Sequence, residues 1–415
     1  MDPEVVEAMA EAAQTHLAID ELQERAGALI AQLTGAEAGY VTSGASAGLA
    51  LGTAACVAGC DVARMDSLPD TTGMPNEVVV QRGHRNAYDH AIRMAGIRLV
   101  EVGYLGVAGT GRTYGWQIEN AINERTAAVA CPIQFSPGSL PLPEVAEIAH
   151  RRCVPVIVDA AGALPPVENL RRFIAEGADL VAFSGGKAIA GPQGSGILCG
   201  RADLIRSVAL QNQDMDVQPS TWRYRKMVEE GKLPGPPHHG IGRPMKVGKE
   251  TIVGLLVALQ RFASHDHEAE LHRQETLLST IADYSRPAPG VITTVESAYE
   301  TDRPHPTLFL DFGRPQAVER ASAVARALRD EEPPIYVGEA YLHTGRIAIV
   351  ASTLREEEAE LVGRRLHSLL VKHRGRDSAA TRPIPASPQA HLVEAGPPAV
   401  DVSRTSPRGG PRRQR

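Results

Sequence analysis

Apolar positions along the chain recur at two spacings, and the switches between them mark out its elements. Leu22, Ala26, Leu29, Ile30 and Leu33 keep the helical spacing and Gly35 supplies a stop, which predicts an N-terminal helical segment over residues 1–35. Short apolar runs at 39–42, 78–81, 98–102, 127–133, 154–158 and 180–183 then read as strands. Helical patterns at 45–57, 86–95, 117–123, 143–152 and 168–176 separate them, and residues 61–76 read as a loop. Continuously apolar strands alternating with helices predict an α/β unit with a mostly parallel sheet over residues 36–248.

The rhythm changes after the glycine-rich run at 191–196. Residues 211–240 form a long proline-containing loop, and one long helix from 249 past 270 carries Ile252, Leu255, Leu256, Leu259 and Phe262 on its apolar face. Strands at 307–311, 335–337 and 346–350 mix with helices at 317–328 and 356–370, which predicts a small α+β domain within 249–373. Residues 374–415 are rich in Pro and Arg without apolar periodicity and are expected to be a disordered tail.

Bulk composition removes several classes of function. The 415 residues are 43% apolar and 22% charged with a net charge of −6, so neither nucleic acid nor an anionic membrane surface is an expected partner. Five cysteines, odd in number and without a C-x-x-C pair, fit reduced thiols better than disulfides or a zinc site. No apolar run reaches the roughly 18 residues of a membrane span. The acidic N-terminus is unlike a secretion signal, and a cytoplasmic location is expected.

Candidate chemistry gathers at strand ends. Lys187 follows the strand at 180–183 within SGGKAIAGPQGSG. It is not a nucleotide P-loop lysine, because Val181 and Ala188 stand where that loop needs glycine and Ser/Thr. Asp159 closes the strand PVIVD and Lys187 comes 28 residues later, so a right-handed crossover places both on one sheet edge. Ser184 precedes the lysine by one turn, His84 follows the strand at 78–81, and Ser43, Gly44, Ala45 and Ser46 open the helix at 45–57. Pyridoxal 5′-phosphate needs such a set: a lysine for its aldehyde, an acid for its ring nitrogen, a flat side chain beside the ring, and a helix N-terminus for its phosphate. Taken singly, Lys187 reads as a solvated lysine, Asp159 and Ser43 as helix caps, and His84 as part of a charged surface. GASAG at 44–48 also spells the nucleophile elbow of a serine hydrolase, although only one helical region precedes it. A non-catalytic protein retaining the fold is a further alternative.

The stretches VTSGASAGLAL, LPDTTGMPNEVVVQRGHRNAYDHAIR, PVIVDAAGALPPVENL, ADLVAFSGGKAIAGPQGSGILCGR and GIGRPMKVGKE resemble the selenocysteine-synthase-like group of fold-type-I pyridoxal phosphate enzymes. The resemblance is strongest to the glucosaminate-6-phosphate ammonia-lyase-like branch. It implies the fold-type-I transferase fold, Lys187 as the Schiff-base lysine, Asp159 as the ring-nitrogen partner and His84 as the ring stacker. It assigns residues 43–46 and Ser184 to the phosphate, and Arg243 and Lys246 to the substrate's carboxylate or phosphate. Arg346 and Arg355 are the small-domain arginines available for a substrate carboxylate. The implied reaction is α,β-elimination of a hydroxylated, optionally phosphorylated, amino acid to a keto acid and ammonia, in a homodimer or larger homo-oligomer. Racemisation, aldol cleavage, transamination and selenium or sulfur transfer share its first steps.

Overall fold

The computed structural model describes residues 1–105, 111–134, 136–288, 290–298, 304–313 and 316–373; the tail expected at 374–415 lies outside them. Helices α1 (Pro3–Gln14) and α2 (Ile19–Thr34) replace the single N-terminal segment. Asp2 caps the first by accepting the Glu4 N–H at 3.0 Å, and Gly35 ends the second at φ +72°. There follow β1 (Ala38–Thr42), α3 (Ala45–Ala58), α4 (Val62–Ser67), β2 (Glu77–Gln81), α5 (Asp89–Arg93), β3 (Arg98–Val102), α6 (Gly115–Ala121) and β4 (Thr126–Pro132). Then come α7 (Leu142–Arg151), β5 (Val156–Asp159), α8 (Asn169–Ala175), β6 (Leu180–Ser184), β7 (Gly196–Gly200), α9 (Ala202–Gln211) and α10 (Arg225–Glu229). Helix α4 occupies part of the expected loop at 61–76 because the Asp61 carboxylate caps it, accepting the Arg64 N–H at 3.2 Å.

Seven strands form the large sheet in the order β1-β7-β6-β5-β4-β2-β3. From β6 to β3 all neighbours are parallel, whereas β7 is antiparallel to both β6 and β1. Strand β1 therefore points the same way as β6, and the carboxyl ends of β1, β2, β4, β5 and β6 share one edge. Strand β7 was not anticipated, since its GILCG run adjoins the glycines and carries no turn signal of its own. Alternate strand residues feed two cores: Val79, Val129, Val158 and Phe183 share one with α7 and α8, while Val78, Val80, Ala130 and Ala182 share the other with α3. The small residues of α3 let it lie flat on the sheet, where a Cβ at Gly52 would come 3.1 Å from Leu180 Cδ1.

The expected long helix is two, α11 (Lys249–Ser264) and α12 (His267–Ser285). Asp266 breaks it by capping α12, accepting the Ala269 N–H at 3.0 Å. The buried face of α11, with Ile252, Leu255, Leu259 and Phe262, belongs to the core of the large sheet. Helix α1 runs along α11 and is held at both ends. Lys249 Nζ donates to the Ala13 and Thr15 carbonyls at 3.0 and 2.6 Å, and Arg261 pairs with Asp2 at 2.7 Å and with Glu4. Beyond α12, β8 (Val291–Glu296), β9 (Thr307–Phe312) and β10 (Arg346–Ile349) form an antiparallel sheet in the order β10-β9-β8, packed on α12, α13 (Ala317–Asp330) and α14 (Glu356–Lys372). The half-exposed β8 carries no continuous apolar run and escapes the sequence pattern, while the expected strand at 335–337 is only an isolated bridge, Gly338 to Ala348.

Candidate active site

The two edges of the large sheet treat their charged groups differently. At the amino end, Glu77 is bound by Arg98 at 2.5 Å, Arg125 at 2.8 Å and Asn123 at 2.9 Å, and Asp179 by His150 at 2.8 Å and the Val156 N–H at 2.8 Å. These acids have full sets of partners and explain themselves as structure. At the carboxyl end, Asp159 accepts only the Ala161 N–H, at 3.0 Å, among the described residues. Burial pushes its carboxyl above the ordinary carboxylate range, opposed by that N–H and by the positive charge of Lys187. Register puts Asp159 beside Pro132 of β4 and Ala182 of β6, so Lys187, five residues past Ala182, is brought to it by the neighbouring strand. The lysine amine reaches the turn after Asp159, where a Cβ at Gly162 would lie 3.8 Å from Lys187 Nζ.

His84 closes a short 3₁₀ turn after β2 and is 4% exposed. Its buried Nδ1 has no hydrogen-bond partner, and burial alone drives the imidazole pKa down to about 4, so the ring is neutral. The turn is held by Gln134, whose Nε2 donates to the Gly83 carbonyl at 3.0 Å and whose Oε1 accepts from Asn86 at 3.3 Å. Gln134 was not singled out from the sequence. It stands two residues past β4, between the strands that carry His84 and Asp159, and the end of every parallel strand is the signal that would have found it.

The turn after β1 has the form of a phosphate cradle. Gly44 sits at φ +100° with open space where a Cβ would project, and α3 begins beyond it with its first N–H groups free of helical partners. The Ser43 hydroxyl donates to the Met245 carbonyl at 2.9 Å, fastening the 243–246 segment to this turn. Ser184, at the end of β6, faces the same edge, since Gly196 of β7 pairs with both Ser184 and Thr42. Ser46 is exposed on α3 and makes no hydrogen bond to a histidine among the described residues, which leaves a serine nucleophile without its base.

Arg243 and Lys246 lie beside the cradle but both face Asp214: Arg243 donates to its backbone carbonyl and Lys246 Nζ stands 3.5 Å from its carboxylate. The small-domain arginines are not brought in. Arg346 pairs with Asp311 at 2.6 Å and stacks 4.1 Å from the Phe309 ring centroid, and Arg355 pairs with Glu358 at 2.8 Å at the start of α14. Gly185, Gly186 and Gly196 do not clear space for a ligand. A Cβ on Gly185 would strike Ser195, one on Gly186 would strike Gln193, and one on Gly196 would lie 2.4 Å from the Gly44 carbonyl carbon. They permit the chain to pack on itself.

The residues present fit pyridoxal phosphate. A glycine-opened helix start suits its phosphate, a sparsely bonded carboxylate its ring nitrogen, a neutral imidazole with an orphaned nitrogen its apolar face, and Lys187 its aldehyde. Fold and site together define a fold-type-I pyridoxal phosphate enzyme. Residues 66–225 match the family described as Aminotransferase class-V. The 5′-C-glycyluridine monooxygenase-decarboxylase of Streptomyces sp is 34% identical over 380 residues, covering 89% of this chain and 86% of that protein. The D-glucosaminate-6-phosphate ammonia lyase of Salmonella typhimurium (strain 14028s / SGSC 2262) is 35% identical over 380 residues, covering 88% and 90%. A solved structure of D-glucosaminate-6-phosphate ammonia-lyase superimposes with a TM-score of 0.72 at 33% identity, over 90% of this chain and 92% of that one. The chain belongs to the family of these two enzymes.

Proposed function

We propose that the protein binds pyridoxal 5′-phosphate through Lys187 and catalyses α,β-elimination on a hydroxylated amino acid, releasing ammonia and a keto acid. The observation that carries this reading is the approach of the Lys187 amine to the turn that follows Asp159, the most sparsely paired acid on the sheet edge. When bound, the cofactor supplies an electron sink for the pair left behind when a proton leaves the substrate Cα. Lys187 Nζ is the base that accepts that proton. Asp159 keeps the proton on the ring nitrogen, its burial offset by the cation it would face. His84 offers a neutral ring face and excludes water. The turn at Ser43, Gly44, Ala45 and Ser46 holds the phosphate with its backbone N–H groups, with Ser184 alongside. Arg243 and Lys246 receive an anionic group of the substrate by exchanging Asp214 for it.

On this reading residues 36–248 hold the cofactor and the small domain within 249–373 closes the substrate side, in a cytoplasmic homo-oligomer. No helix among the described residues is long and apolar enough to cross a membrane. Purified protein loaded with the cofactor is expected to be yellow and to be fixed in that state by borohydride, and Lys187→Ala to lose the fixation. Free and phosphorylated hydroxy-amino acids are expected to yield keto acid and ammonia in equal amounts. Release of carbon dioxide with consumption of oxygen, or silence across the panel, would overturn the elimination.

A further inference from the structure

One residue of the large sheet breaks its apolar pattern. Gln81 ends β2 after Val78, Val79 and Val80 and is 1% exposed, so its amide is buried and needs partners for both ends. It finds them on a single residue of the loop between β4 and α7. Gln81 Nε2 donates to the Leu140 carbonyl at 3.0 Å, and Gln81 Oε1 accepts the Leu140 N–H at 2.7 Å. The side-chain amide thus replaces a peptide unit and adds one rung where no strand runs. An apolar residue in its place would fill the core but leave the Leu140 N–H and carbonyl unpaired.

Beside this clamp the same loop grips the His84 turn at two further points. Gly83 lies against the Ser136 and Ser139 hydroxyls, which bond one another at 2.8 Å, and a Cβ on it would come 2.3 Å from Ser136 Oγ. Gln134 Nε2 donates to the Gly83 carbonyl at 3.0 Å, and Asn86 Nδ2 divides its donors between Gln134 Oε1 at 3.3 Å and the His84 carbonyl at 3.4 Å. The start of the loop also holds Asp159. Pro132 pairs with it in the ladder, and the Ile133 N–H donates to its carbonyl at 2.8 Å. Residues 132–134 therefore join the acid to the imidazole turn, and Gln81 fastens the loop's far end.

We infer that Gln81 and Gln134 are positioning residues that hold His84 in its buried seat and fix its distance from Asp159. This deepens the proposed function and rests on it only for what His84 faces. The seat keeps water from the ring, and burial alone accounts for the low imidazole pKa of about 4. Arg82 and Arg85 on the same turn are both paired with Glu101, and Cys131, Glu168, Arg172 and His267 share the cavity that His84 lines. None of these groups shifts the imidazole, so a change in its titration reports the seat itself.

Exchange of the imidazole C2 hydrogen, followed by mass spectrometry on the protein without cofactor, reads that titration. The parent is expected to give a His84 midpoint of about 4, and Gln81→Leu and Gln134→Leu a midpoint raised by about one unit or more towards the ordinary value of about 6.5. Gln81→Glu should keep the parent's midpoint. In that pH range its buried carboxyl is protonated and offers one donor and one acceptor, as the amide does. Leu278→Ala, a cavity in the small-domain core, should lower the melting temperature and leave the midpoint in place. In the loaded protein the visible circular dichroism should weaken by at least about twofold in the two leucine variants. A midpoint unmoved in both, moved as far in Leu278→Ala, or as high in Gln81→Glu as in Gln81→Leu would overturn the inference. Gln134 is exposed, so Gln134→Leu decides where Gln81→Leu does not fold. A midpoint that moves in the leucine variants while their dichroism follows the parent would uphold the positioning and overturn instead the placing of His84 against the cofactor.

Discussion

His84 and Asp159 follow β2 and end β5, with β4 between them, and their burial has opposite consequences for pH. The imidazole of His84 takes a proton in the unfolded chain near its ordinary pKa of about 6.5 but in the fold only near 4. Between these values the unfolded state binds more protons, so stability is full above about pH 6.5 and falls as the pH drops towards 4, by roughly 3 kcal/mol at most. Comparing melting temperatures at pH 7 and pH 5 should show a loss that is absent in His84→Gln. Asp159 has the reverse sign: its raised carboxyl favours the fold only while protonated, and that contribution is lost as pH rises through its folded pKa. Asp159→Asn is therefore expected to melt higher than the parent without cofactor at pH 7 while losing nearly all turnover, the signature of a carboxylate kept for function at the expense of stability. Lys187 and Asp159 were legible in the sequence because strand ends and a crossover length place them. Gln134 was not, since what sets it apart is which neighbours its amide faces, and no periodicity carries that.

At the scale of elements, the parallel strands and α3 were readable from apolar runs and small residues, whereas β7 and the break between α11 and α12 were not. Strand β7 hides because glycines usually signal a turn, and here they serve close packing. Gly196→Ala places a Cβ 2.4 Å from the Gly44 carbonyl carbon and should cost at least about 1–3 kcal/mol in urea unfolding. Gly194 has open space at the same position and no positive φ, so Gly194→Ala should be neutral or stabilise by about 0.4–1 kcal/mol. Gly44→Ala meets no atom but must hold φ +100°, and should weaken cofactor retention together with a backbone strain of about 1–2 kcal/mol.

Taken whole, the molecule places the lysine between two unlike walls, and α1 belongs to one of them. Val5 is 1% exposed and lines the Lys187 cavity, so Val5→Asp buries a charge without a partner and should unfold the α1 to α11 contact, seen as new protease cleavage within residues 1–15. Arg261→Ala removes only half-exposed ion pairs and should cost about 1 kcal/mol or less. The pairing of Gly196 with both Thr42 and Ser184 carries a wider consequence. The phosphate cradle and the lysine turn are rungs of one ladder, so the span between them is as invariant as a strand spacing. The cavity wall formed by α1, α11 and α12 is carried by separate elements and shares no rung with it. On the proposed reading, that wall can change with the substrate while the ladder that spaces the cradle and the lysine turn stays as it is.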